Sequence, residues 1–422
     1  MRVTAPTAEA IHPGGPPAVK HQGVRAPEPR TTANGEVAIV AFIGFLVCGA
    51  LALWWFLPLA SGPVDPQPAS QHGKLLVSVY DPPTRPVEEA LGRTDGQVFA
   101  GMSTDPLART PEIVRGSAEE QAYRYQRPAY AWIGWVGSGG GHPGPAPFAL
   151  AAATAVAAGL LVGAGARFLA DRHADPRWAL LLLLVPGVFI DLTWIGPEVL
   201  GTALAVFGLV WWTREPSGDD AADRRALVLA VVMFAAAGLC RETFLLIPFV
   251  LMVTALVHRQ IGRAVAAALA AAPYVAWVLY LRIAIGAWPT GSVGGRLSPI
   301  PFGGMVQALD AWHPAEFAVA VVILVPAAWA LVVGRRSGLR PLVAANLAFA
   351  AVLGEPVWHR FPDFSRVLLP LSTLSVLAIV SGLVLNAQAA RAATDAPGPG
   401  APAAPAPGAD EITPVEVPAG SV

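Results

Sequence analysis

The sequence predicts an all-α, polytopic integral membrane protein with about ten transmembrane or re-entrant helices and a large extracytoplasmic first loop. Three observations predict it. Hydrophobic residues make up 54% of the 422 residues against 14% charged, a balance that soluble domains do not show. Apolar runs recur from about Val37 to residue 386, and a helix needs about 20 such residues to cross about 30 Å of hydrocarbon. Basic residues gather in alternate connecting loops, as the cytoplasmic retention of Lys and Arg demands.

The first 35 residues, rich in Pro, Gly and Ala and carrying Arg2, Lys20, Arg25 and Arg30, are too polar to bury a core and read as a disordered cytoplasmic arm. Residues 36–60 read as the first transmembrane helix. The run is too long for a signal-peptide core, lies far from the start and lacks a small-residue cleavage site, so retention is expected. Residues 61–146 form the extracytoplasmic loop domain. Residues 147–386 form a helix bundle, with apolar segments near 147–169, 178–194, 197–213, 226–240, 244–257, 264–285, 316–334, 341–354 and 367–386. Several are short for a full crossing, notably 226–240 and 244–257, and are equally compatible with re-entrant or tilted helices. The stretch AAATAVAAGLLVGAGA at 151–166 supplies small residues for close helix packing. Residues 387–422, containing PGPGAPAAPAPG, read as a disordered Pro/Ala-rich cytoplasmic tail.

Sidedness follows from the loops. One set holds eleven arginines: Arg167, Arg172, Arg177, Arg214, Arg224, Arg225, Arg259, Arg263, Arg335, Arg336 and Arg340. The alternate set holds four, namely Arg241, Arg296, Arg360 and Arg366. Both termini are therefore expected in the cytoplasm, with residues 61–146, 286–315 and 355–366 outside. Arg accounts for 26 of the 28 basic residues, and with abundant Ala and Pro this fits a GC-rich bacterial genome and a multi-pass protein of the bacterial plasma membrane.

Composition narrows the partners. The formal net charge is −1, so no global basic excess exists to hold nucleic acid. Cys48 and Cys240 both lie in apolar stretches, too few for a disulfide framework or a thiolate metal cluster, and read as small buried hydrophobes. Asp219 and Asp220 form an acidic pair in spelling, but they share a short cytoplasmic loop with Asp223, Arg224 and Arg225 and read as a solvated connector.

Ionisable residues at membrane-helix ends are costly and default to functional candidates. Asp191 and Glu198 flank the external hairpin DLTWIGPE, and Arg241 and Glu242 occupy the external hairpin CRET. Arg282 lies near the outer end of the seventh span, and Arg360, Asp363 and Arg366 precede the last one. Arg241 is equally suited to pair with Asp191, Glu198 or Glu242 and seal the bundle. In the first loop, AYRYQRPAYAWIGWV at 122–136 gathers Arg124 and Arg127 with Tyr123, Tyr125, Tyr130, Trp132 and Trp135. That is the composition of an amphipathic segment at the headgroup level, and the arginine forks equally suit a lipid phosphate. Asp95-Gly96-Gln97 supplies a carboxylate able to take a proton from a sugar hydroxyl and a carboxamide able to fix the sugar, although Asp-Gly is also a common turn dipeptide.

These residues carry a resemblance. A first span, a large external loop containing DGQ and then YRYQRPAY, many shorter spans and a later RET resemble bacterial membrane glycosyltransferases of the GT-C fold, of an uncharacterised type that uses polyprenyl-phosphate sugars. The likeness covers roughly residues 36–390 in architecture, and 92–136, 240–243 and 358–370 in motif. It implies that a sugar passes from a polyprenyl-phosphate carrier to a glycan, lipid or protein acceptor on the outer face. Asp95 then acts as catalytic base, with Gln97, Arg124, Arg127, Asp191, Glu198, Arg241, Glu242 and Arg366 binding substrate. Thr94 stands where closer relatives have an aromatic residue, and the adjacent acidic pair of many such enzymes is missing, the neighbouring acids being Glu88 and Glu89. Membrane lipid and the lipid-linked sugar are the expected partners. No cofactor is required beyond the donor substrate, and a divalent metal is left open.

Three other functions share the pattern. A transporter or flippase of a lipid-linked sugar or small solute would place its essential charges near the bilayer midplane, whereas these lie at span boundaries. An oligosaccharide polymerase or ligase also sets arginines against a lipid pyrophosphate outside, usually with its large loop later in the chain. A non-catalytic partner in an envelope-assembly complex, recruiting other chains through the Pro-rich termini, is a third.

Overall fold

A chain this apolar satisfies its backbone inside lipid only through helices or closed barrels, and here every long element is a helix. The computed structural model describes residues 32–61, 76–81, 83, 85–92, 94–289 and 297–394. The arm bearing Arg2, Lys20, Arg25 and Arg30, the tail from residue 395 and Arg296 lie outside the described residues. No strand occurs among the described residues, only the isolated bridges Val77–Val114 and Leu297–Leu353.

α1 (Thr32–Ser61) is the first apolar helix. The first loop then folds into four short helices, α2 (Pro86–Leu91), α3 (Gly96–Met102), α4 (Ala118–Tyr125) and α5 (Pro128–Gly137). They enclose a core of their own in which Val77, Tyr80, Leu91, Phe99, Met102, Tyr125 and Tyr130 are buried. Phe56 of α1 and Leu150 join that core, so the loop domain sits on the helix ends rather than beside them.

The bundle follows with α6 (Ala146–Ala170), α7 (Pro186–Trp194), α8 (Glu198–Trp212), α9 (Asp220–Cys240), α10 (Leu246–Val257), α11 (Ile261–Leu269) and α12 (Ala272–Ala284). It is completed by α13 (Gly303–Ala308), α14 (Pro314–Val333), α15 (Arg340–Ala351), α16 (Glu355–Trp358), α17 (Phe361–Val367) and α18 (Leu369–Thr394). Small residues set the closest approach, as the sequence suggests. A Cβ added at Gly159 of α6 would stand 2.8 Å from the Cβ of Phe45, and one at Gly163 would stand 2.9 Å from the Cβ of Ala41.

Among the described residues, five helical stretches are long and apolar enough to cross a membrane: 34–60, 146–170, 261–284, 314–336 and 369–394. The apolar segments expected at 178–194 and 226–240 take other forms. The first splits into a 3₁₀ helix, Pro176–Leu184, and α7, which meet at 60° and count as a sixth span only if taken together. Pro186 explains the break, because its ring and missing N–H cannot continue the preceding helix. The second lengthens to 21 residues by adding the charged first turn of Asp220, Asp223, Arg224 and Arg225. α8 and α10, with 15 and 12 residues, extend only about 22 and 18 Å, and α8 is mostly buried whereas α10 exposes Phe249 and Val257. α18 runs past the bundle end expected at 386.

Among the described residues, Arg167, Arg172 and Arg263 of the larger loop set gather at one end of the bundle. Arg167 donates to Asn34 at the start of α1 (2.8 Å), Arg172 to Thr213 after α8 (3.0 Å), and Arg263 of α11 to the Trp212 carbonyl. At the other end Tyr274, Trp277 and Tyr280, one helical turn apart on α12, bond Gln126, the Tyr125 carbonyl and the Leu107 carbonyl of the loop domain at 3.0, 2.8 and 2.6 Å.

Candidate functional site

Asp95 occupies the N-cap position of α3, where an aspartate ordinarily accepts a backbone N–H. Here it makes no such cap, and Thr94 Oγ1 accepts from Gly96 N instead (3.2 Å). The freed carboxylate turns to two guanidiniums. Arg124 of α4 donates to Oδ1 at 3.1 Å, and Arg366 of α17 donates to Oδ2 at 3.2 Å. Burial works to raise the Asp95 pKa, but Arg366 and then Arg124 outweigh it and hold the carboxyl well below the usual range. The carboxylate remains 36% exposed, so one face is open to a ligand while Arg366 behind it is 5% exposed.

Gly96 is required by contact rather than by turn conformation. A Cβ there would collide with the Trp194 carbonyl oxygen and approach Leu91 to 2.9 Å, so glycine lets the start of α3 rest on the end of α7. Ile195, which follows α7, sits in the left-handed region (φ 58°), a costly conformation for a β-branched residue, and is fully buried against the loop core.

Arg366 is held from several sides. Its Nε donates to the Pro362 carbonyl (3.3 Å), its Nη2 lies 3.5 Å from Asp363, and its guanidinium stands 4.7 Å over the Trp194 ring. Asp363 also pairs with Arg360 at 2.9 Å. Asp363, named in the sequence only as part of the charged group before the last span, and Trp194 are the members that the substrate-binding set omits. The i,i+3 spacing of Asp363 to Arg366 on one short helix and the position of Trp194 inside DLTWIGPE are the signals that carry them.

Arg127 lies at the break between α4 and α5. The proline after it disfavours helical backbone at Arg127, which has φ −112° and ψ 67°. Its fork is bidentate on Glu242, with Nε to Oε2 at 2.9 Å and Nη2 to Oε1 at 2.7 Å, and Nη2 also donates to Tyr123 Oη at 2.9 Å. Burial opposes its charge, but Glu242 and the Tyr123 oxygen raise its pKa further. The stretch at 122–136 therefore is not one amphipathic helix lying on the surface. Tyr123, Tyr125, Arg127 and Tyr130 are interior, and Ile133, Trp135 and Val136 are exposed.

After α9 the chain extends at Arg241 (φ −160°, ψ 133°), which sends Arg241 and Glu242 to different partners. Glu242 takes Arg127, and Arg241 pairs with Glu198. Asp191 and Glu198, which flank the hairpin, are fully buried at 0% and 3% exposure, because the hairpin between them folds inward. Asp191 Oδ2 accepts from Val199 N (2.6 Å). Its Oδ1 and Glu198 Oε2 face each other at Gly196, where a Cβ would strike both, and neither oxygen has a donor among the described residues.

Gln97 stands apart from this cluster. It accepts from Leu76 N (2.8 Å) and donates to the Gly92 carbonyl (3.0 Å), and at 3% exposure it ties loop segments together. Arg282 is also outside, bonded to the Gly286 carbonyl. Among the described residues no group of three or more His, Cys, Asp and Glu side chains is arranged to hold a metal ion.

The remaining candidates thus come together from six elements: α3, α4, the α4–α5 break, the α7–α8 hairpin, the end of α9 and α17. Such a cluster offers an anion two or more guanidinium forks beside one half-exposed carboxylate. No protein-family model matches the chain, and no curated protein matches it in sequence. Among solved structures, the crystal structure of ArnT from Cupriavidus metallidurans in the apo state is similar, with a TM-score of 0.46 and 16% identity over 86% of this chain. This chain covers 62% of that protein, and the likeness is a loose one.

Proposed function

We propose that the protein is a membrane glycosyltransferase that moves a sugar from a polyprenyl-phosphate carrier to an acceptor hydroxyl on the extracytoplasmic face. One observation carries this reading: Asp95, at a helix start, gives up capping and holds its half-exposed carboxylate between Arg124 and Arg366. A structural staple would bury that carboxylate, whereas a base must reach a substrate.

The donor phosphate draws Arg124 and Arg366 onto its oxygens, since forked guanidiniums match phosphate geometry. Loss of those partners returns the Asp95 carboxylate toward ordinary basicity when the donor is in place. Asp95 then takes the acceptor hydroxyl proton as the acceptor oxygen bonds to the anomeric carbon and the bond from that carbon to the phosphate oxygen breaks. Polyprenyl phosphate leaves with the added negative charge, which the arginines stabilise. Arg127, Glu242, Arg241, Glu198 and Asp191 hold the walls around them. An apolar groove of about 360 Å³ along α1 and α6, lined by Phe45, Phe56 and Phe148, suits the isoprenoid chain.

The test is turnover of a synthetic polyprenyl-phosphate sugar in membranes containing the protein, read by mass spectrometry. Wild type is expected to release polyprenyl phosphate, and Asp95→Asn to do so about 10²–10⁴-fold more slowly. Equal turnover by a folded Asp95→Asn variant overturns the assignment.

A further inference from the structure

The helix pair that reaches the charged cluster reaches a second polar cleft at its other end. α8 starts at Glu198 and ends at Trp212, about 22 Å away, and α9 returns from Asp220 to Cys240 beside Arg241. Between them, Arg214, Arg224 and Arg263 line a cleft of about 350 Å³ with Trp211 and Trp212 as its floor. That volume falls within the roughly 300–1,000 Å³ of ligand pockets.

The cleft is built for an anion. Arg263 stands 4.6 Å over the Trp212 ring and donates to the Trp212 carbonyl, while Arg214 stands 5.9 Å over Trp211. Neighbouring tryptophans thus each fix one guanidinium. Two acids, Glu215 and Asp223, also line it. Asp223 accepts from Ser217 N and Oγ at 2.9 Å each and also feels the charge of Arg214, without a direct ion pair. Among the described residues none of the three arginines has a carboxylate within ion-pair distance.

The surroundings are those of a lipid rather than of a free ion. The cleft lies at the ends of apolar helices, where tryptophan favours the headgroup level, and α9 leaves it with Val228 and Val232 exposed on one face at 55% and 51%. A phosphate in the cleft would leave its acyl chains along that face. Basic pockets between membrane helices take anionic lipid headgroups by the same logic.

We propose that this cleft binds the phosphate headgroup of an anionic membrane phospholipid in the leaflet opposite the charged cluster, with Arg214 and Arg224 closing on a site that Arg263 and Trp212 hold open. The site is independent of the transferase reading.

The experiment titrates phosphatidylglycerol, phosphatidylcholine or inorganic phosphate into the full-length protein in neutral detergent, following bound lipid by native mass spectrometry and the thermal midpoint. Phosphatidylglycerol is expected to be retained and to raise the midpoint, and phosphatidylcholine and phosphate to do neither. Arg214→Gln/Arg224→Gln should weaken phosphatidylglycerol retention at least tenfold, while Arg335→Gln/Arg336→Gln, outside the cleft, leaves it unchanged. Unaltered retention in the cleft variant, equal retention of phosphatidylcholine, or an equal midpoint shift with phosphate each overturns the proposal. Should the double variant fold poorly, Arg263→Gln gives the same reading, with at least a fivefold loss expected and none overturning it.

Discussion

Asp95 and Arg366 lie 271 residues apart in sequence and meet at 3.2 Å, joining the first loop to the segment that leads into the last long helix. Arg366 is buried against Trp194 and Asp363, whereas the Asp95 carboxylate is 36% exposed. The accessible member of the pair is therefore the acid.

The depressed Asp95 pKa has a defined consequence for stability. A carboxyl lowered on folding contributes stability that is fully present above its unfolded value, about 3.9, and is lost as pH falls through the folded value. The difference in thermal midpoint between wild type and Asp95→Asn should therefore stay constant from pH 6 to 9 and change only below about pH 4. Thermal melts in detergent across that series check it.

In turnover, the acid limbs should separate. On the proposed reaction, kcat/KM reports the free protein, in which two arginines depress Asp95, and kcat reports the donor complex, in which they would be on phosphate. The acid limb of kcat is expected at higher pH than that of kcat/KM. Coincident limbs would argue against the exchange of arginines.

Arg127 and Glu242 should behave as a buried pair. Removing one partner leaves a desolvated charge, and Arg127→Ala is expected to cost about 3–5 kcal/mol in stability. The double variant with Glu242→Ala should lose less than the sum of the singles, and Arg127→Lys should not restore wild type, because lysine lacks the two-pronged contact that Arg127 makes. Chemical denaturation of the four proteins measures the coupling.

Gln97 should show the opposite split. Gln97→Ala leaves Leu76 N and the Gly92 carbonyl without their partner, for about 1–3 kcal/mol, and is expected to leave KM for the donor unchanged. A raised KM with wild-type stability would return Gln97 to the substrate.

Much of the architecture was readable because hydrophobic length and arginine placement act locally. The segment at 147–169 and the helix 146–170 coincide for that reason. The break at Pro186 has a local signal too, but the burial of Asp191 and Glu198 depends on how the hairpin at Gly196 folds inward, which no window of sequence contains. The same holds for the partners of Arg241 and Glu242. Adjacent in sequence, they diverge only because the backbone extends at Arg241. Asp95 carried a turn signal stronger than its catalytic one, and its partners come from α4 and α17, distant in the chain, which no local window contains.

The most direct test is a titration of the full-length protein in nanodiscs with a polyprenyl monophosphate. Wild type should bind it, and the Arg124→Gln/Arg366→Gln variant should bind at least tenfold more weakly, since each lost charged hydrogen bond is worth about 1.5–3 kcal/mol. Equal affinity in the two proteins would contradict a phosphate site at Asp95, Arg124 and Arg366.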